Sequence, residues 1–217
     1  MKQLIHNGVL LPKKYEAKGL HIGIKGKKAN LTPEQEEMAV AWVKKLGTEY
    51  VSDRVFVRNF FKDFSEALGL EQLPSEDFDF SEIQPCVERE KNLKLTMSKE
   101  EKKRLAEARK AVREANKEKY GYAIVDGERV EVGNYVVEPP CIFMGRGKHP
   151  MRGRWKPGAA ENDIILNLSP DAPRPEGNWK EIVWQPDSMW IAKWDDKLRG
   201  VEKYLWLSDS SHVKQQR

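Results

Sequence analysis

Lys119-Tyr-Gly-Tyr-Ala-Ile-Val-Asp-Gly-Glu-Arg-Val-Glu-Val132 divides the chain into two kinds of secondary structure. Before Tyr120-Gly121 apolar residues recur with a helical period; after it they alternate with polar ones, as half-buried strands require. Asp126-Gly127 fits a type I′ turn, so Tyr122–Val125 and Glu128–Val132 read as a hairpin. Further strands are expected at Tyr135–Val137, Ile164–Leu168, Glu181–Trp184, Met189–Trp194 and Lys203–Leu207, with a proline-rich surface loop over Ser169–Pro175. Helices first and strands second make an α+β chain with a mixed or antiparallel sheet, not alternating βαβ units.

The helical half is well punctuated. Thr32 caps a first helix, Pro33 suits its first position, Gln35 completes a capping box, and Met38, Trp42 and Leu46 form its stripe. A second helix starts near Ser52-Asp53 and carries Val57, Phe60, Phe61, Phe64 and Leu68 as a core face up to Gly69. A short third helix is expected over 81–91. Ser98 opens a fourth, whose span to Lys119 holds nine Lys/Arg, five Glu and an alanine-dominated stripe. Such a stripe buries little area, so this helix should protrude or lie along a groove.

The chain has 217 residues with a net charge of +4, and its charge is unevenly spread. Residues 1–30 carry seven Lys and one Glu; residues 32–90 carry six Lys/Arg and fourteen Asp/Glu, net −8. Residues 144–160 carry Arg146, Lys148, Arg152, Arg154 and Lys156 with no acid. In that segment Gly145, Gly147 and Gly153 leave the backbone free to approach another surface, and Pro139, Pro140 and Pro150 stiffen its ends. An acid-free, glycine-spaced basic loop suits phosphate contact, where Lys and Arg must act unopposed. Arg146 between glycines also suits minor-groove entry. The bland alternative is a solvated loop. Five tryptophans from Trp179 to Trp206, interleaved with Lys180, Lys193, Lys197, Arg199 and Lys203, form a second candidate; most are core by their alternation.

Other classes find no support. Gly145-Arg-Gly-Lys-His149 lacks the spacing and the Ser/Thr of a phosphate-binding P-loop. Cys86 and Cys141 form no disulfide framework, which points to a reducing, intracellular compartment. His6, His21, His149 and His212 are too scattered for zinc, and no stretch approaches the roughly 20 apolar residues of a membrane span. Neither a metal nor a cofactor is expected, and no catalytic residue. The residues describe a nucleic-acid-binding module; a stand-alone RNA- or ribosome-associated module is the alternative.

Asn59-Phe-Phe-Lys-Asp-Phe64, Lys119-Tyr-Gly-Tyr122, Glu138-Pro-Pro140, Phe143-Met-Gly-Arg-Gly-Lys-His-Pro150, Asn162–Asn167, Trp190-Ile-Ala-Lys-Trp194 and Gly200-Val-Glu-Lys-Tyr204 occur in an order that resembles eukaryotic-type DNA topoisomerase IB, in its N-terminal DNA-binding region. The resemblance implies a two-lobed cap that clamps double-stranded DNA: residues 1–16 and 97–217 in one lobe, with the lip loop 144–158, and 17–96 inserted as the other. It further implies ATP-independent relaxation of supercoils through a 3′-phosphotyrosyl nick. That chemistry belongs to a C-terminal catalytic domain, so this chain alone is expected to be inactive and monomeric, with that domain and duplex DNA as its partners. By the same resemblance Gly145 and Arg146 lie at the lip. Lys148, His149, Arg152, Arg154, Lys156, Trp194, Lys197, Lys203, Tyr204 and Lys94 lie at or near DNA, and Glu138 and Phe143 border the pocket where camptothecin-type poisons stack. Met144 and Pro157 stand where the family has cations. The compact start suggests an archaeal-like version, cytoplasmic and nucleoid-associated; a eukaryotic one would be nuclear.

Overall fold

The computed structural model describes residues 1–215. In chain order its elements are β1 (Leu4–His6), β2 (His21–Ile24), β3 (Lys27–Asn30), α1 (Pro33–Val43), α2 (Arg54–Ala67), β4 (Phe78–Asp79), α3 (Gln84–Thr96) and α4 (Lys99–Tyr120). There follow β5 (Tyr122–Val125), β6 (Glu128–Glu131), β7 (Cys141–Ile142), β8 (Trp155–Lys156), β9 (Ile165–Asn167), β10 (Glu181–Val183), β11 (Trp190–Asp195), β12 (Glu202–Trp206) and α5 (His212–Gln215). The longer helices precede residue 121 and most strands follow it, so the α+β expectation holds.

The chain forms two compact units. The first comprises residues 1–12, 99–139 and 158–217; the second comprises 13–98 and 140–157. The loop expected with the first lobe falls in the second unit, up to residue 157. The reason is packing, since Ile142 and Trp155 at its two ends are buried in the second unit's core.

In the first unit β5 and β6 form the expected hairpin, with Asp126 (φ 51°) and Gly127 (φ 88°) both in the left-handed region of a type I′ turn. β1 adds antiparallel to β5, pairing Leu4 with Val125 and His6 with Ala123. A second sheet has the order β10-β9-β11-β12, with β9 and β10 parallel and the remaining pairs antiparallel. Their inward residues, among them Leu4, Val125, Leu166, Ile191 and Leu205, build one core. The Ser169–Pro175 segment is less exposed than expected: Ser169 is buried, and its N–H and Oγ donate to the Leu4 carbonyl at 3.0 and 3.1 Å. Tyr135–Val137 makes only a single bridge, Leu10 to Val136, and not a strand. No residue of α4 is buried, and its larger aliphatic side chains Leu105 and Val112 stay exposed, as its narrow stripe predicted.

His6 is buried in this unit. Its Nε2 lies 2.9 Å from the Asn167 carbonyl, and its Nδ1 accepts the Gly8 N–H at 3.1 Å. One nitrogen donates and the other accepts, which only the neutral ring can do. Burial accordingly lowers its pKa to about 4.

The second unit is built on aromatic rings. α1 has the predicted capping box, Thr32 with Gln35, and delivers Met38 and Trp42 inward, while Leu46 lies beyond its end and is exposed. α2 is capped by Asp53, whose carboxylate accepts the Val55 and Phe56 N–H groups. Trp42 stacks on Phe60 with ring centroids 4.7 Å apart and meets Phe61 edge-on at 4.8 Å; Phe64 and Phe78 extend the cluster. α3 runs later than expected, 84–96, because no Gly or Pro follows Lys91 to stop it. Buried Glu36 is held by Tyr15 Oη (2.8 Å) and the N–H groups of Lys18 and Leu20. Burial pushes its pKa up, but those donors outweigh it and the carboxyl stays below its ordinary value.

Candidate nucleic-acid interface

The basic loop begins as a short ladder. β7 and β8 pair Cys141 with Lys156 and Ile142 with Trp155, and two more bonds extend it, Phe143 N–H to the Arg154 carbonyl and Gly153 N–H to the Phe143 carbonyl, both 2.8 Å. One stripe of α2 then grips the loop. Asp53, Phe56, Asn59 and Asp63 recur every three or four residues, so they share a helix face. Asn59 Nδ2 donates to the carbonyls of Pro150 and Arg152, each at 2.9 Å. Asp63 accepts from Arg154 Nε at 2.7 Å and from the Trp155 N–H at 2.7 Å. Asp53 accepts from Arg152 Nε at 2.5 Å and Nη2 at 3.1 Å, and this pairing first, with the capping N–H groups adding to it, lowers its pKa to about 2. Gly153 has φ +86°, and a Cβ there would lie 2.1 Å from the Phe56 carbonyl oxygen, so only glycine permits this contact.

The grip redistributes the expected charge. The loop is acid-free in sequence but not in space: Asp53 and Asp63 neutralise Arg152 and Arg154, and Arg152 keeps only 15% of its side-chain exposure. These two arginines hold the loop in place. Arg146 and Lys148 are exposed and have no carboxylate partner among the described residues. Gly145 (φ +66°) sets the turn before them, with His149 and Arg152 crowding the position a Cβ would take. His149 accepts the Met151 N–H on Nδ1 and meets the Phe143 ring edge-on at 5.0 Å. Lys156 is half-buried in β8, and Lys94 is exposed on α3 of the same unit.

The first unit holds the remaining candidates. Trp194 is 7% exposed and packs in the first core, so its side chain serves packing and not an outer surface. The nearby lysines are neutralised, and of them Lys197 is exposed while Lys193 and Lys203 are half-buried. Lys203 Nζ lies 2.6 Å from Glu138 and 3.7 Å from Asp196; Lys197 lies 2.6 Å from Asp163; Lys193 lies 2.9 Å from Glu202. Tyr204 donates to Glu202 at 2.5 Å, which raises the phenol's pKa. Asp196 also shapes the β11–β12 turn, accepting the Leu198 and Arg199 N–H groups at 3.0 Å and the Arg199 guanidinium. Glu138 lies in the first unit and Phe143 in the second. Sequence reasoning missed the roles of Asp53, Asn59 and Asp63; their three-to-four-residue spacing on the Phe-rich helix was the available signal. No group of three or more His, Cys, Asp or Glu able to hold a metal occurs among the described residues, and none of their helices is long and apolar enough to cross a membrane.

A rigidly mounted loop with unpaired cations at its tip is the makings of a polyanion-binding module. Residues 1–207 match the family model described as eukaryotic DNA topoisomerase I, DNA binding fragment, and the chain belongs to that family. It is 39% identical to DNA topoisomerase 1 beta of Arabidopsis thaliana over 99% of the chain and 24% of that protein. It is 35% identical to DNA topoisomerase 1 of Candidozyma auris and 31% identical to that of Homo sapiens, covering 97% and 98% of the chain and 29% of each relative. The chain thus spans a quarter to under a third of these relatives' length, in their N-terminal region. The relatives named here are eukaryotic, and none lends support to the archaeal-like expectation.

Proposed function

We propose that this chain is the DNA-binding cap of a type IB topoisomerase, clamping duplex DNA while a separate catalytic domain makes the 3′-phosphotyrosyl nick that relaxes supercoils. The observation that carries this reading is the exposed, unpaired Arg146–Lys148 tip on a loop fixed by three side chains of α2. Within it, Arg146 and Lys148 meet phosphates or the minor groove, Gly145 and Gly147 allow close approach, and Lys94 adds a backbone contact. Arg152 and Arg154 act by positioning the loop. Recognition is of backbone and shape, without sequence preference. The family's eukaryotic relatives favour a nuclear protein, and a single copy suffices for the contact.

Anisotropy titration of a labelled duplex against salt tests this. Each phosphate contact contributes about 0.9 to the slope of log K against log salt. Replacing Arg146 and Lys148 by Ala should therefore flatten the slope by about 2 without changing thermal stability. An unchanged slope removes the tip from the interface. Preference for single-stranded RNA over duplex in competition would instead favour a module that stacks unpaired bases. Supercoiled plasmid should stay unrelaxed by this chain, and relaxation by the pure chain would overturn the assignment of chemistry elsewhere.

A further inference from the structure

The stripe of α2 next to the loop-gripping one lines a cavity of about 690 Å³ in the second unit. Val57 and Phe61 from α2, with Leu73 and Pro74 from the segment after it, give apolar walls. The far wall is preformed, because buried Ser65 accepts the Leu73 N–H on Oγ at 3.1 Å and the Leu70 N–H on its carbonyl at 2.9 Å. Arg54 and Arg58, one helical turn apart, also line the cavity, and neither has a carboxylate partner among the described residues. A volume of this size lies within the range of ligand sites, and two unpaired guanidinium groups beside apolar walls select a ligand that is both acidic and hydrophobic.

A nucleic acid is the poorer match. Glu76 lines the same cavity, and residues 32–90 carry net −8, so a long polyanion running on beyond the two arginines would pass acidic residues. A short peptide needs to satisfy only the two arginines and can leave its other side chains in solvent. We propose that this cavity docks an acidic peptide segment of a partner protein, placing an apolar side chain against Val57, Phe61 and Leu73 and flanking carboxylates on Arg54 and Arg58. Topology then separates the functions of α2: one face holds the loop and the adjacent face receives a protein.

The test uses the whole 217-residue chain and the fluorescein-labelled hexapeptide Glu-Glu-Leu-Phe-Glu-Glu, followed by anisotropy. Saturable binding is expected, weakened about tenfold or more by the double substitution Arg54→Glu and Arg58→Glu. Both side chains are exposed, so circular dichroism should be unchanged. Leu73→Asp should weaken binding likewise, and the Arg double variant decides the matter if Leu73→Asp does not fold. A peptide with serines replacing leucine and phenylalanine should bind more weakly, and one with lysines replacing glutamates should not bind. Absence of saturable binding, indifference to the Arg double variant, equal binding of the serine peptide or displacement by duplex DNA would each overturn the proposal; the last would turn the cavity into a nucleic-acid surface.

Discussion

The loop of the second unit and the β11–β12 hairpin of the first are both basic in sequence, yet they present their charge differently. In the hairpin region Lys193, Lys197, Arg199 and Lys203 each face a carboxylate, so little positive charge is left unopposed. In the loop the carboxylates of α2 are spent at its base, on Arg152 and Arg154, and the tip keeps Arg146 and Lys148 unopposed. Counting cations along a chain therefore overstates a polyanion-binding surface; what matters is which cations remain after the fold has brought acids to them.

The largest expected effect separates the units by their cores. Phe60 is fully buried, stacked on Trp42 and edge-on to Phe61 at 5.3 Å, so Phe60→Ala should cost about 3–5 kcal/mol. Hydrogen exchange should locate the loss in residues 13–98 and 140–157, taking the basic loop with it. Equal loss across β9, β11 and β12 would mean that the two units unfold as one.

Acid should act in the opposite order. His6 has a folded pKa of about 4 against an ordinary 6.5, so below pH 6.5 the unfolded chain binds the proton more readily. Stability of the first unit is full above pH 6.5 and should fall by about 3 kcal/mol as pH drops to 4. In the second unit Asp53 titrates near 2 against 3.8, so the stability from its pairing with Arg152 is present above pH 3.8 and is lost only as pH falls through 2. Urea titrations at pH 7 and 4, followed by tryptophan fluorescence, check this, since five of the seven tryptophans lie in the first unit. An unchanged midpoint would show that His6 is protonated in place.

Asp63→Ala removes acceptors for Arg154 and the Trp155 N–H, and should cost about 2 kcal/mol. DNA affinity should fall although Arg146 and Lys148 are untouched; undiminished affinity would show that the loop needs no fixed base. The smallest effect concerns the hairpin. Glu202→Gln releases Lys193 and should steepen the salt slope by no more than about 1. A larger change would mean that the hairpin's neutralised lysines already contribute to binding.

Much of this molecule was legible along the chain. The capping box at Thr32, the Phe stripe of α2 and the Asp126-Gly127 hairpin are local signals, decided by residues within a turn or two of one another. The short strands β1 to β4, β7 and β8 were not legible, because two to four residues carry too little periodicity and their partners are distant, as with Leu4 and Val125. Trp194 read as a candidate contact and is core. Asp53 read only as marking the start of a helix, and in space it both caps α2 and holds Arg152, 99 residues away.

The sequence by itself determined the helix-then-strand order, the aromatic helix face and the basic loop, since each rests on residue type and short spacing, and its ordered motifs carry the resemblance to the family. Tertiary structure alone decided which cations stay unpaired, because ion pairing depends on distances in space that span many residues of chain. It also decided that the loop rides on the second unit, through the backbone contact of Gly153 with Phe56.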